Sequence, residues 1–159
     1  MPRILVAGIG NIFLGDDGFG VEVVRRLSAQ TPRADIDVVD FGIRGVHLAY
    51  ELSGGKYDAA ILVDATPRGG EPGTLYTIEA DPAETSEEAG DAHNMTPAAV
   101  LDWVRRTGGR CGRVLVVGCE PESLVESMGL SEAVALSVEP AMDMVCRLAA
   151  HLRECESCA

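Results

Sequence analysis

Three segments that read as strands each give way to an acid. Gly8-Ile9-Gly10-Asn11-Ile12-Phe13-Leu14-Gly15-Asp16-Asp17-Gly18 follows the first, Asp40-Phe41-Gly42-Ile43-Arg44-Gly45 ends the second, and Asp64-Ala65-Thr66-Pro67 ends the third. Open parallel sheets bind their ligands outside the carboxyl ends of the strands. Asp16 or Asp17, Asp40 and Asp64 are therefore expected to converge on one crevice, where carboxylates either hold a cation or share protons. His93, just before a helix opened by Thr96, adds an imidazole. Two carboxylates and one imidazole make a mixed oxygen and nitrogen site that suits Ni²⁺, Zn²⁺, Mn²⁺ or Fe²⁺. No local spacing, such as two histidines one helical turn apart, marks that site. Each residue also has a plainer reading. Asp16 and Asp17 precede a helix, where acids cap free N–H groups and meet the positive end of the dipole. Asp40 is equally a turn former bonding its own backbone before Gly42. His93, His47 and His151 all fit ordinary surface histidines.

The elements that must position these residues follow from the hydrophobic pattern. Ile4–Ala7, Ala59–Val63 and Val114–Val117 are apolar without alternation, as parallel strands buried on both faces are. Ile36–Val39 is a weaker fourth, and Thr74–Ile78 alternates as an edge or antiparallel strand does. Between them lie helical patterns at Val21, Val24 and Leu27, at Val46–Leu52, and at Ala98–Val104, the last with Thr96 as N-cap and Pro97 at N1. A final helix is expected from near Ser131 to about Arg153, with a kink or two abutting helices at Pro140. Alternating strands and helices predict a three-layer α/β/α sandwich on a mostly parallel sheet of about five strands, hydrolase-like or phosphorylase-like, with right-handed connections. One α/β domain over residues 1–153 is expected, and a disordered tail over 154–159.

Composition narrows the function. Acids outnumber bases 25 to 13, and the formal charge of −12 argues against nucleic acid and anionic membranes as partners. Six of those acids fall in Glu79–Asp91, which holds no base and reads as a mobile, solvated loop leading to His93. Apolar residues make up 47% of the chain, yet no run approaches the ~18 residues that span a bilayer. With no signal-peptide pattern and an odd count of five cysteines, a reducing cytoplasm is the expected compartment, and a monomer the expected state.

Several motifs lead elsewhere. Gly8-x-Gly10 invites a dinucleotide reading, but the third fingerprint position is Phe13 and two carboxylates stand where a pyrophosphate would lie. No G-x-S-x-G elbow is present, and Asp64 lacks the Asp-Thr-Gly or Asp-Ser-Gly context of two-aspartate peptidases. Cys119 fits the core better than a nucleophile. Cys155-x-x-Cys158 is half of a zinc site with no second pair nearby.

The first glycine-rich run through Asp16-Asp17-Gly18, the Asp40 loop, Asp64, His93 and Gly118-Cys119-Glu120-Pro121-Glu122-Ser123 together resemble the [NiFe]-hydrogenase maturation endopeptidases. The resemblance covers nearly the whole chain in order. It implies an aspartic-type endopeptidase that clips the C-terminal extension from a hydrogenase large-subunit precursor once nickel is inserted. It further implies Asp17, Asp64 and His93 as contacts to a nickel carried by that precursor. Asp17, Asp40 and Asp64 remain as candidate catalytic carboxylates, with the base unassigned; Asp40 is not needed as a ligand. Phe41 stands where the family often has glycine, and Arg44 adds a charge to the same loop. The competing class is a metal-dependent binding module or assembly chaperone with the same ligands and no cleavage.

Overall fold

A computed structural model describes residues 2–30, 33–80, 96–109 and 111–157. Strands Ile4–Ile9 (β1), Ile36–Gly42 (β2), Ala59–Ala65 (β3), Leu75–Ala80 (β4) and Arg113–Cys119 (β5) form one sheet in the order β2-β1-β3-β5-β4. β1, β2, β3 and β5 are parallel, and β4 pairs antiparallel with β5 at the edge. Every residue of β1 and β3 is buried, so the unbroken apolar runs belong to central strands. The alternating segment becomes the half-buried edge strand β4.

Alternation along β1 and β3 splits the core in two. Ile4, Val6, Ile61 and Val63 face helix α1 (Phe19–Ser28) and helix α5 (Val138–Ser157), which supply Val23, Val24, Val145, Ala149 and Leu152. Leu5, Ala7, Ala60 and Leu62 face helix α2 (Gly45–Ser53) and helix α3 (Pro97–Arg106), which supply Leu48, Leu52, Val100, Leu101 and Val104. Each Val, Leu or Ile among these, taken fully out of water, contributes about 1.5–3 kcal/mol. The architecture is the expected three-layer sandwich. Thr96 caps α3, its hydroxyl accepting from the Ala99 amide at 3.1 Å, and Pro97 opens the first turn.

Three details depart from expectation. The last helical segment does divide into α4 (Glu132–Ala135) and α5, but the break falls at Leu136 and Ser137. Pro140 lies in the first turn of α5, where its missing N–H removes no helical hydrogen bond. At the break the Ser137 amide donates to the Val134 carbonyl, three residues back, and the Ser137 hydroxyl donates to the Gly73 carbonyl at 2.6 Å. Glu79, expected in a loop, belongs to β4 and pairs with Arg113 at 2.7 Å; the rest of that acidic stretch, 81–91, lies outside the described residues. Helix α5 runs on to Ser157, past the boundary expected at 153, because each added residue gains a backbone bond once Leu152 is anchored in the core.

Candidate active site

The order β2-β1-β3 sets the three strand ends side by side. The chain leaves β1 through Gly10, whose φ of +137° lies where residues with a side chain rarely go. Space imposes the same choice, since a Cβ there would stand 1.9 Å from the Asp17 carbonyl oxygen and 3.6 Å from Asp64 Oδ1. Glycine lets the turn carrying Asp17 fold back against the end of β3. Asn11 shapes that turn: its side chain accepts from the Phe13 amide at 2.9 Å, and its own amide donates to Asp17 Oδ2 at 2.7 Å. A second close approach holds α1 down, for a Cβ on Gly20 would meet the Val63 carbonyl at 2.0 Å.

Asp64 is 4% exposed, and its Oδ1 accepts from the Ala65 amide at 2.8 Å. Burial drives its carboxyl well above the ordinary carboxylate range, the neighbouring charge of Asp17 pushes it further, and the Ala65 bond only partly opposes them. Asp17, half-buried, is also raised by burial, against the pull of the Asn11 amide. Two carboxylates that burial and repulsion disfavour as a pair of anions have two ways out: sharing a proton or binding a cation. Each has one oxygen seated on a backbone amide, and the other makes no hydrogen bond among the described residues.

Asp16 does something else. It does not cap a helix: neither the 3₁₀ turn Gly15–Gly18 nor α1 has a side-chain cap. Only 1% exposed, it accepts four hydrogen bonds from Glu122, Ser123 and Ser131. Burial raises its carboxyl, but these donors outweigh that effect and hold it below the usual range. Glu120, inside the motif after β5, plays a similar part for the β3–β4 loop, accepting from the Arg68 and Gly70 amides and the Tyr76 hydroxyl. The sequence marked that motif without revealing the long-range reach of either acid.

Asp40 stands one strand out, in register with Gly8 on the edge strand β2. It is exposed, and its carboxylate lies beside Gly42, whose carbonyl accepts from the Gly10 amide. The structure thus gathers Asp17 and Asp64 and sets Asp40 on the rim. Arg44 is committed to its own loop: it donates to the Asp40 and Phe41 carbonyls and stacks 5.9 Å from the buried Phe41 ring. Cys119 is fully buried, and burial pushes its thiol up to about 11, which suits a core residue and not a thiolate nucleophile. His93 lies outside the described residues; among those described, no group of three metal-binding side chains lies together.

A model of the hydrogenase maturation protease family matches residues 21–148. The chain belongs to this family. It is 35% identical over 147 residues to the hydrogenase 2 maturation protease of Escherichia coli, covering 90% of this chain and 88% of that one. It is 34% identical over 146 residues to a putative hydrogenase maturation protease of Methanocaldococcus jannaschii, covering 89% and 93%. The hydrogenase maturating endopeptidase HybD of E. coli has the same fold, with a TM-score of 0.78, 32% identity, and coverage of 96% of this chain and 93% of that one. Membership makes the protein a peptidase, and the fold is the one this family of hydrolases uses. Among its described residues no helix is long and apolar enough to cross a membrane.

Proposed function

We propose that the protein removes the C-terminal extension of a [NiFe]-hydrogenase large-subunit precursor after nickel has been inserted, and that it reads that nickel through Asp17, Asp64 and His93. The observation that carries this reading is the Asp17–Asp64 pair: two adjacent carboxylates, each with one oxygen anchored and one open, in surroundings that disfavour two bare anions. A divalent cation presented by the substrate relieves both burial and repulsion, so the anchor is strong only for loaded precursor. Nickel held there orients the scissile bond and polarises its carbonyl. In hydrolysis a water attacks the carbonyl carbon, a carboxylate takes the water's proton, and the amine leaves with a proton as the C–N bond breaks. Asp40 is the carboxylate left for that work, because it stands at the next strand end and is not needed on the metal; in that sense the chemistry is aspartic.

A protein-sized substrate also fits the surroundings. Phe13, Ile43, Val46, Leu124, Val125 and Met128 are all exposed on the loops and helix start that leave β1, β2 and β5. Apolar residues gathered round a polar site mark a face that meets another protein.

The test is incubation with nickel-loaded and nickel-free precursor, read by intact-mass spectrometry. Loss of a C-terminal peptide from the loaded form alone, abolished in Asp17→Asn and Asp64→Asn, is expected. Full cleavage by Asp17→Asn would sink the assignment, and nickel-dependent binding with no change of mass would point to a chaperone instead.

A further inference from the structure

Asp16 is a buried carboxylate beside Asp17 that the proposed chemistry leaves unused. All four of its hydrogen bonds come from a segment 106 to 115 residues away. Oδ2 accepts from the Glu122 amide at 2.8 Å, the Ser123 amide at 3.1 Å and the Ser131 hydroxyl at 2.9 Å, and Oδ1 accepts from the Ser131 amide at 2.7 Å. The main chain adds to this clasp: the Gly15 amide donates to the Ser127 carbonyl, the Asp16 amide to the Ser123 carbonyl, and the Ser127 amide to the Phe13 carbonyl. One carboxylate thereby gathers residues 122–131 around the 3₁₀ turn that carries Asp17.

Among the described residues the Asp17 carboxylate accepts one hydrogen bond, from the Asn11 amide of its own turn, so its place at the end of β3 is only as firm as the turn that carries it. Swinging that turn outward would carry Asp17 away from Asp64. The clasp opposes that motion from the far side, and its donors include a charge-assisted set of three amides, stronger than neutral hydrogen bonds.

We propose that Asp16 is the positioning residue of the cleavage reaction: by binding residues 122–131 it holds the 3₁₀ turn down and seats Asp17 against Gly10, beside Asp64. The role rests on the function proposed above and deepens it, since Asp16 meets neither precursor nor nickel and acts through Asp17. Residues 122–131 also carry the exposed Leu124, Val125 and Met128, so the same clasp keeps part of the apolar rim in register with the carboxylates.

The test compares full-length wild type, Asp16→Ala, Asp16→Asn and Ser131→Ala on nickel-loaded precursor, with Val145→Ala, a buried core truncation in α5, as a control for lost stability. In Asp16→Ala, kcat per folded molecule is expected to fall about 100-fold, the scale on which a ~1 Å displacement costs rate. Hydrogen exchange should show the Glu122, Ser123 and Ser131 amides losing protection. Asp16→Asn should fall between Asp16→Ala and wild type: its one carbonyl oxygen can keep the three bonds now made to Oδ2, but its NH2 group meets the Ser131 amide, donor against donor, where Oδ1 accepted. Val145→Ala should lower Tm and leave kcat per folded molecule unchanged. The role is overturned if Asp16→Ala stays within about threefold of wild type, or if Val145→Ala at an equal folded fraction loses as much. Should Asp16→Ala fail to fold, the milder pair decides: a reduced kcat in Ser131→Ala and Asp16→Asn supports the role, and wild-type kcat in both overturns it. Wild type that cleaves nothing overturns the proposed function itself, and this role with it.

Discussion

Asp64 sets the site's electrostatics. Its carboxyl is raised by burial and by Asp17, so the folded protein holds a proton there at a pH where the unfolded chain has released it. Asp64 therefore contributes nothing unfavourable below the ordinary carboxylate value of 3.8, and lowers stability increasingly as pH rises from there toward its raised value. Asp64→Asn keeps the shape and the bond from the Ala65 amide while removing the charge. It is expected to melt higher than wild type at pH 7, with the gain shrinking as pH falls toward 4, and to cleave nothing. Thermal melts across that range, run beside the mass assay, check both halves; a variant less stable than wild type at pH 7 would contradict the account. Asp16 has the opposite sign. Its lowered carboxyl stabilises the fold above the ordinary value, and that contribution is lost in acid.

Between elements, the joint that matters is α1 on β3. Gly20 allows the helix so close that an added Cβ would sit 2.0 Å from the Val63 carbonyl and 2.6 Å from that of Ile9. Neither backbone atom can move aside cheaply. Gly20→Ala is expected to cost at least the upper end of the ~1–3 kcal/mol typical of overpacking, and to lower cleavage by lifting the Asp17 turn off the end of β3. Pro140→Ala makes the contrast. That proline is exposed and sits in the first turn of α5, so its replacement should change stability by less than ~1 kcal/mol. Urea unfolding of the two variants measures the difference directly, and equal losses would show that α1 does not bear on β3 as closely as drawn.

Over the whole molecule, charge works against compactness. A net charge of −12 on 159 residues means self-repulsion, while the ion pairs that oppose it are mostly surface pairs worth little each. Moving from ~10 mM to ~150 mM sodium chloride shortens the screening length from about 30 Å to about 8 Å. Tm should rise by the ~2–4 °C that 1 kcal/mol represents in a chain of this size. A Tm that falls with salt would mean that ion pairs such as Arg105 and Arg106 on the buried Asp102 outweigh the repulsion.

Read alone, the sequence determined the layers and the chemistry available to them. Unbroken apolar runs marked the strands buried on both faces, the alternating run marked the edge, and Thr96-Pro97 marked a helix start, because these depend on periods and caps that are local. It also laid acids at the ends of β1, β2 and β3. Local pattern carried no information on which of those acids meet. Asp16 and Asp17 are neighbours in sequence with the same capping reading, yet one binds a segment more than a hundred residues on and the other faces Asp64. Asp40 satisfied the same strand-end rule and stayed on the rim. Tertiary structure decided these outcomes, through the close approach that Gly10 permits and the donors of residues 122–131, because a carboxylate's role depends on which amides and charges surround it.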